Sequence, residues 1–345
     1  MRLHNHNKQS GLALITVLFI FALVSMLAIA MQQRQTMDIA QASVTFTLTQ
    51  AQLLMLSAED IAKAGLSFDL NRDVNSSEEW DTASELWNHP VPTQLDGATI
   101  FVTIRDLQGL FNLNSLSPNA PNSAAALNRF QRLLTEIDPQ IDPAIATDAR
   151  EWLTVGHSNN FDYQNMTPPY RASEIEFTHP SELKLIKSVD IATYLKLEPY
   201  ITALPASTAL NINTTTKEIL SSWDAMLTSA DSQALVSKAH SGECGKDRNV
   251  ALYKDINEFW DTSEIKKLLD KTINPNVQMD QADFTVKSQY FSVLIRIEFN
   301  GGDLVSESIV RRKPSSTNDS GFIGVIYRDL SRTVENIDRL KIVDC

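Results

Sequence analysis

The sequence predicts an α+β protein. It has one long N-terminal helix, membrane-spanning in its first part, then a small antiparallel sheet of about four strands interrupted by a large inserted block of helices. Three observations carry this. Residues 12–31, LALITVLFIFALVSMLAIAM, run for twenty positions without a charge. A helical apolar rhythm then continues to residue 64. Strand-type alternation occurs once at 98–106, gives way to purely helical patterns, and returns after 284.

Twenty apolar residues rise about 30 Å as a helix, the thickness of a bilayer core. The leader before them, MRLHNHNKQSG, holds Arg2 and Lys8, which predicts a cytoplasmic N-terminus with the bulk across the membrane. A cleaved secretory signal is the competing reading, with Ala28-Ile29-Ala30 as its exit. The following QQRQTMDIAQASV continues as helix instead of breaking. Met37, Ala40, Val44, Leu48, Ala51, Met55, Ala58 and Ala62 recur at steps of three and four, one apolar stripe. No Gly or Pro interrupts 12–64, and Gly65 is the expected C-terminal stop. A coiled coil would also draw such a stripe, though small Ala fills half of it.

Residues 66–97 read as a polar connector. Asp69, Asn71 and Asp73 have the spacing of an opening calcium loop, but Val74 stands where Gly is needed and Trp80 where the bidentate Glu belongs. The segment therefore reads as solvated loop. Ile100, Val102 and Ile104 alternate along 98–106 as a half-buried strand, which runs into DLQGLFNLNSL at 106–116. There Gly109 suits a turn, and Asn112 and Asn114 can bond nearby backbone.

Strand patterns then vanish. Short helices are predicted at 127–137, 143–153, 181–186, 216–227, 231–239 and 263–269, punctuated by Pro and Asp/Asn/Ser caps. Thr215 and Glu218 are placed as a capping box. A loop at 240–249 holds Cys244. The sheet resumes with strands at 284–299 and 304–313, joined by Asn300-Gly301-Gly302-Asp303, and a last strand at 322–328.

The 345 residues carry a net charge of −12, which opposes a nucleic-acid surface. Two cysteines, Cys244 and Cys345, form a disulfide or remain free thiols, and spacing does not decide between them. The six histidines lack metal-ligand spacing, and neither a nucleophile elbow nor a phosphate loop occurs.

The junction Ser10-Gly11-Leu12 resembles the leader of type IV pilin-like proteins. The resemblance implies peptidase cleavage after Gly11 and methylation of the new amine on Leu12. The fifth mature position, Glu in most of that family, is Thr16 here. DLQGLFNLN (with Leu110 for the usual Arg), Ala144…Thr147-Asp148…Trp152, the PPYR…SEL pattern within 167–186, and LNINT at 210–214 are similar to the type II secretion minor pseudopilin K family. That resemblance implies a tip subunit of the pseudopilus, initiating assembly with I- and J-type minor pseudopilins for export across the outer membrane. It also implies an inner-membrane assembly platform and a prepilin peptidase as partners, no enzyme activity, no nucleic acid and no small-molecule substrate. Calcium is implied near Asp162, Glu174 and Glu176, although Thr154 and Gly156 replace the family's acids in EWLTVGH. The expected organisation is leader 1–11, helix 12–65, first part of the head 66–116, inserted helices 117–270 and second part 271–345. Two other classes stay open. LNINT also resembles the start of a helix-hairpin-helix, which would make a DNA-uptake or adhesion module, and an anchored periplasmic enzyme is the third.

Overall fold

The computed structural model describes residues 10–76, 80–88, 92–95, 97–157, 160–239, 253–299, 301–313 and 322–330. The chain divides into two units, 1–54 and 55–345. Helix α1 (Ser10–Ser76) supplies the first unit and opens the second. Over residues 12–31 the apolar side chains are exposed all round the helix, Leu12 at 70 %, Phe21 at 70 % and Met26 at 76 %. Side chains of this kind need lipid to cover them. It is the one helix among the described residues long and apolar enough to cross a membrane.

Gly65 does not stop α1, which continues to Ser76. The expected connector from residue 66 is thus helical in its first part. Gly65 faces open space, and a lone glycine in a helix costs only about 1 kcal/mol. The buried stripe Met55, Ala58, Ala62, Leu66 and Asp69 carries the helical phase across it. Asp69 and its neighbours therefore do not form a loop.

In the second unit the main sheet is antiparallel and has five strands: β1 (Thr93–Leu95), β2 (Ala98–Asp106), β7 (Tyr290–Phe299), β8 (Gly302–Lys313) and β9 (Phe322–Asp329), in that order across the sheet. β1 is the strand the sequence does not announce. Its three residues are all exposed, so no alternation marks it. β7 is central and buried along nearly its whole length. Its hairpin to β8 closes with Phe299 opposite Gly302 and Gly301 at φ +77°, a conformation glycine adopts without a Cβ penalty.

The predicted strand 284–299 is two elements. β6 (Phe284–Thr285) pairs in parallel with β5 (Leu210–Asn211), and only Tyr290 onward joins the main sheet. Between them Val286 O accepts the Asp81 N–H at 2.8 Å and the Ser288 N–H goes to the Asp81 carboxylate at 2.6 Å, drawing the backbone off the ladder. A second short parallel pair joins β3 (Phe111–Asn112) to β4 (Ile201–Thr202).

The helical excursion leaves β2 after Asp106 and returns at Tyr290, its two ends tied by Leu107 N–H to Tyr290 O at 3.0 Å. It is wider on both sides than the expected 117–270. Its α-helices are α2 (Ser123–Ile137), α3 (Ala144–Trp152), α4 (Asn160–Gln164), α5 (Ile191–Leu197), α6 (Lys217–Ser221), α7 (Ser229–Ala239), α8 (Ile256–Trp260) and α9 (Ser263–Leu269). α4, α5 and α8 are one or two turns long, too short to show a period. Thr215 and Glu218 make no capping box. Thr216 takes the N-cap position without a side-chain bond, and the buried Thr215 hydroxyl has no hydrogen-bond partner among the described residues. The reciprocal cap lies at His179 instead. Its Nδ1 accepts the Ser181 N–H at 3.1 Å, and Glu182 accepts the His179 N–H at 3.1 Å.

Candidate functional site

Gly11 and Leu12 lie in the first turns of α1, with Leu12 exposed. The Thr16 hydroxyl donates to Ala13 O at 2.9 Å and to Leu12 O at 3.2 Å. Its polar group is thus satisfied inside its own helix. Ala13, Ala22 and Ala28 are exposed and Ser25 is half-buried, so the helix offers small residues at its surface. Such positions let a second helix approach closely in lipid.

In the head, the segments DLQGLFNLN and LNINT, 90 or more residues apart in sequence, meet at one joint. Asp106 at the end of β2 is its centre. One carboxylate oxygen accepts the Gln108 N–H at 2.8 Å. The other accepts the Asn211 amide at 3.0 Å and the Thr214 and Ser288 hydroxyls at 2.6 Å each. Burial pushes this carboxyl up to about 6, against the opposing pull of the Ser288 and Thr214 hydroxyls and the Gln108 N–H. Gly109 is required by closeness: a Cβ there would stand 2.5 Å from Thr214 O.

The buried asparagines complete the joint. Asn114 donates to Phe177 O at 3.0 Å and Leu204 O at 2.9 Å and accepts the Phe177 N–H at 2.7 Å. Asn112 accepts the Leu204 N–H, and Asn213 exchanges two bonds with the Tyr253 backbone. A buried amide with every partner supplied specifies one arrangement, because leaving any of them unmade is costly. These residues bind the chain to itself.

Next to the joint, Arg312 is 2 % exposed and lies between Asp69 of α1, at 3.1 Å, and Asp81. Its guanidinium also stacks over Phe291, 4.7 Å from the ring centre. Asp69, Asp81 and Glu85 bring ligand oxygens within 4.8 Å of one another, a spacing that could suit a metal. The guanidinium already supplies the positive charge there. Further along α1, buried Glu59 takes two bonds from Arg328, at 2.7 and 2.8 Å, and one from the Ser308 hydroxyl at 2.6 Å. Burial alone would raise its carboxyl, but the Arg328 and Ser308 bonds outweigh burial and hold it below the usual range.

The sequence did not single out Arg312, Arg328 or Asp81. Arg311-Arg312-Lys313 reads as a charged strand end. The available signal was alternation: Arg312 shares its face with Val310 and Ser308, both buried. A charge on an inward face needs a partner.

The carboxylates implied for calcium do not gather. Asp162 is paired with Lys187, and Glu174 sits at φ +57° with its N–H on Trp152 O. Among the described residues, no cluster of three potential ligands includes Asp162, Glu174 or Glu176. Cys244 and Cys345 lie outside the described residues, as does the tail from 331.

One apolar helix of membrane-spanning length thus leads into a head whose buried polar groups close distant segments together beside an antiparallel sheet. Residues 109–206 match the family model described as type II secretion system (T2SS), protein K. The type II secretion system protein K of Pseudomonas aeruginosa is 28 % identical over 336 residues, covering 94 % of this chain and 93 % of that protein. That of Klebsiella pneumoniae is 29 % identical over 226 residues, 61 % of this chain and 67 % of that protein. The fold is that of a chain in the crystal structure of the GspK–GspI–GspJ complex of the enterotoxigenic Escherichia coli type 2 secretion system. The TM-score is 0.65 at 21 % identity, over 85 % of this chain and 100 % of that chain. Over 94 % of its length the chain is thus similar to a type II secretion system protein K.

Proposed function

We propose that this chain is a minor pseudopilin that caps the pseudopilus of a type II secretion system. In this reading it is a single-pass protein of a bacterial inner membrane with a cytoplasmic N-terminus and a periplasmic head. A prepilin peptidase cuts after Gly11, and Leu12 becomes the methylated first residue. The head joins I- and J-type minor pseudopilins and starts filament assembly at the inner-membrane platform. The observation that carries the reading is the union in one chain of the uncharged helix directly after Gly11 and a head with the fold of the protein K family.

Two physical features favour the end of a filament. Thr16 has no carboxylate to neutralise the amine of a neighbour's N-terminus, and a charge buried in hydrocarbon without a partner is expensive. A broad helical insertion between two strands would obstruct a subunit stacked above it. The test is co-expression of the full chain with I- and J-type pseudopilins of one system, followed by affinity purification. The expected result is a complex of all three. Absence of any pilin-like partner at micromolar concentration refutes it. DNA binding with a steep salt dependence would favour the uptake module instead.

A further inference from the structure

We propose that a cavity in the inserted helical region binds a short peptide segment, one apolar residue followed by a basic one. The inference goes beyond filament assembly and stands or falls independently of it.

The cavity, about 450 Å³, lies where β3, the loop after β4 and helix α2 meet. That volume is within the range of small-ligand sites, about 300–1,000 Å³. Arg129 of α2 lines one wall and is 4 % exposed. Its Nη2 is spent on Gln278 O and on the Asp283 carboxylate, at 2.7 Å each. Its buried Nε has no hydrogen-bond partner among the described residues. The guanidinium lies 4.5 Å over the ring of Trp223, whose buried Nε1 likewise has none among them. Two donors on the wall thus lack an acceptor, and a ligand oxygen placed there removes that cost.

Charge decides which oxygen. Among the lining residues Arg129 is the cation, and Asp280 and Asp283 are the anions. Asp283 already balances Arg129, which leaves the exposed Asp280 in surplus. A phosphate or a free carboxylate would be repelled by that surplus, whereas an uncharged carbonyl would not. A positive group next to the carbonyl gains from it. Neither lining ring offers an open face for a sugar to stack on. Phe111 stacks on Phe130 with centroids 5.0 Å apart, and Arg129 covers Trp223.

Shape points the same way. The buried side chains of Phe111, Ala126, Leu204 and Leu210 give the cavity an apolar floor, which an aliphatic side chain can fill. The loop 206–208 adds main chain to the rim. Its Thr208 N–H turns back to Pro205 O at 2.9 Å, while the main-chain groups of Ala206 and Ser207 form no hydrogen bond among the described residues. Free main-chain donors and acceptors are what an extended peptide matches. In this arrangement the peptide carbonyl accepts from the Arg129 side, and the following Lys or Arg lies over Asp280.

The experiment is calorimetric titration of the full chain in detergent micelles with two probes, acetyl-Ala-Leu-Lys-amide and acetyl-Ala-Leu-Glu-amide. The Lys probe should bind, and the Glu probe about tenfold more weakly, one attraction lost and one repulsion gained at the rim. Asp280 caps the turn at 281–283 through the Ala282 N–H at 3.0 Å. Asp280→Asn keeps that cap, because Asn caps as well as Asp, and should cut the preference to about threefold. Arg129→Lys keeps a charge beside Asp283 but loses the unspent donor, and should weaken the Lys probe about tenfold. Ala206→Trp, at a half-buried loop position, plugs the cavity and should abolish binding of both probes. Should Arg129→Lys fail to fold, Asp280→Asn and Ala206→Trp decide. No binding of the Lys probe in the millimolar range, equal affinity for the two probes, or binding that survives Ala206→Trp overturns the proposal.

Discussion

Arg312→Met is the sharpest probe of what holds α1 to the sheet. The methionine keeps much of the aliphatic stem's volume in a site that is 2 % exposed and removes the charge. Lost with it are the pairs to Asp69 and Asp81, the bond to Ser288 O at 3.3 Å and the cation–π contact with Phe291. Removing one partner of a buried pair costs about 3–5 kcal/mol, because the remaining charge stays in the low-dielectric interior. Here two carboxylates are stranded, which places the loss at the upper end. For a domain above 150 residues this lowers Tm by about 2 °C per kcal/mol, some 10 °C in all.

The assay is urea unfolding of the full chain in micelles, comparing midpoints at constant slope. The decisive arm is the second mutation. Asp81→Asn destabilises wild type, since it breaks a pair. In the Arg312→Met background it should stabilise, since it removes an unpaired charge. Effects that merely add would show that Arg312 contributes packing alone, and the ionic account of this contact would fall.

Other outcomes follow from the same contacts. Gly109→Ala should cost about 1–3 kcal/mol through overpacking against the Thr214 carbonyl, read by thermal melting; an unchanged melt would mean that the loop at 214 yields freely. Glu59→Gln should lose about 2 kcal/mol at neutral pH from its charge-assisted bonds to Arg328 and Ser308. Because the folded Glu59 carboxyl is depressed, that stabilisation is present above the unfolded value and fades as pH falls through the folded one. The gap between variant and wild type should therefore close on acidification below about pH 4, and a gap that persisted there would contradict the pairing. Substitution of Gly11 by a bulky residue should leave the leader uncut on an immunoblot, and mass spectrometry of the wild-type product should begin at a methylated Leu12. A mature chain beginning near residue 31 would restore the secretory-signal reading.

Local pattern was enough for the long apolar helix, the hairpin at Gly301 and the order of strand, helical block and strands. Each depends only on the period of nearby residues and on which of them tolerate a turn. The family motifs were also readable, though not what they do. DLQG and LNINT each look like a strand end or a helix start, and only the folded chain brings Asp106 against Thr214, 108 positions away. The same holds for Asp69, which reads as part of a solvated loop until Arg312, 243 positions on, gives it a buried partner. That partner is one reason why α1 passes Gly65 without breaking. A sequence states which face of an element can be buried. Which distant charge or carbonyl meets it there is settled by tertiary packing, since the cost of an unpaired buried group appears only once the chain has closed around it.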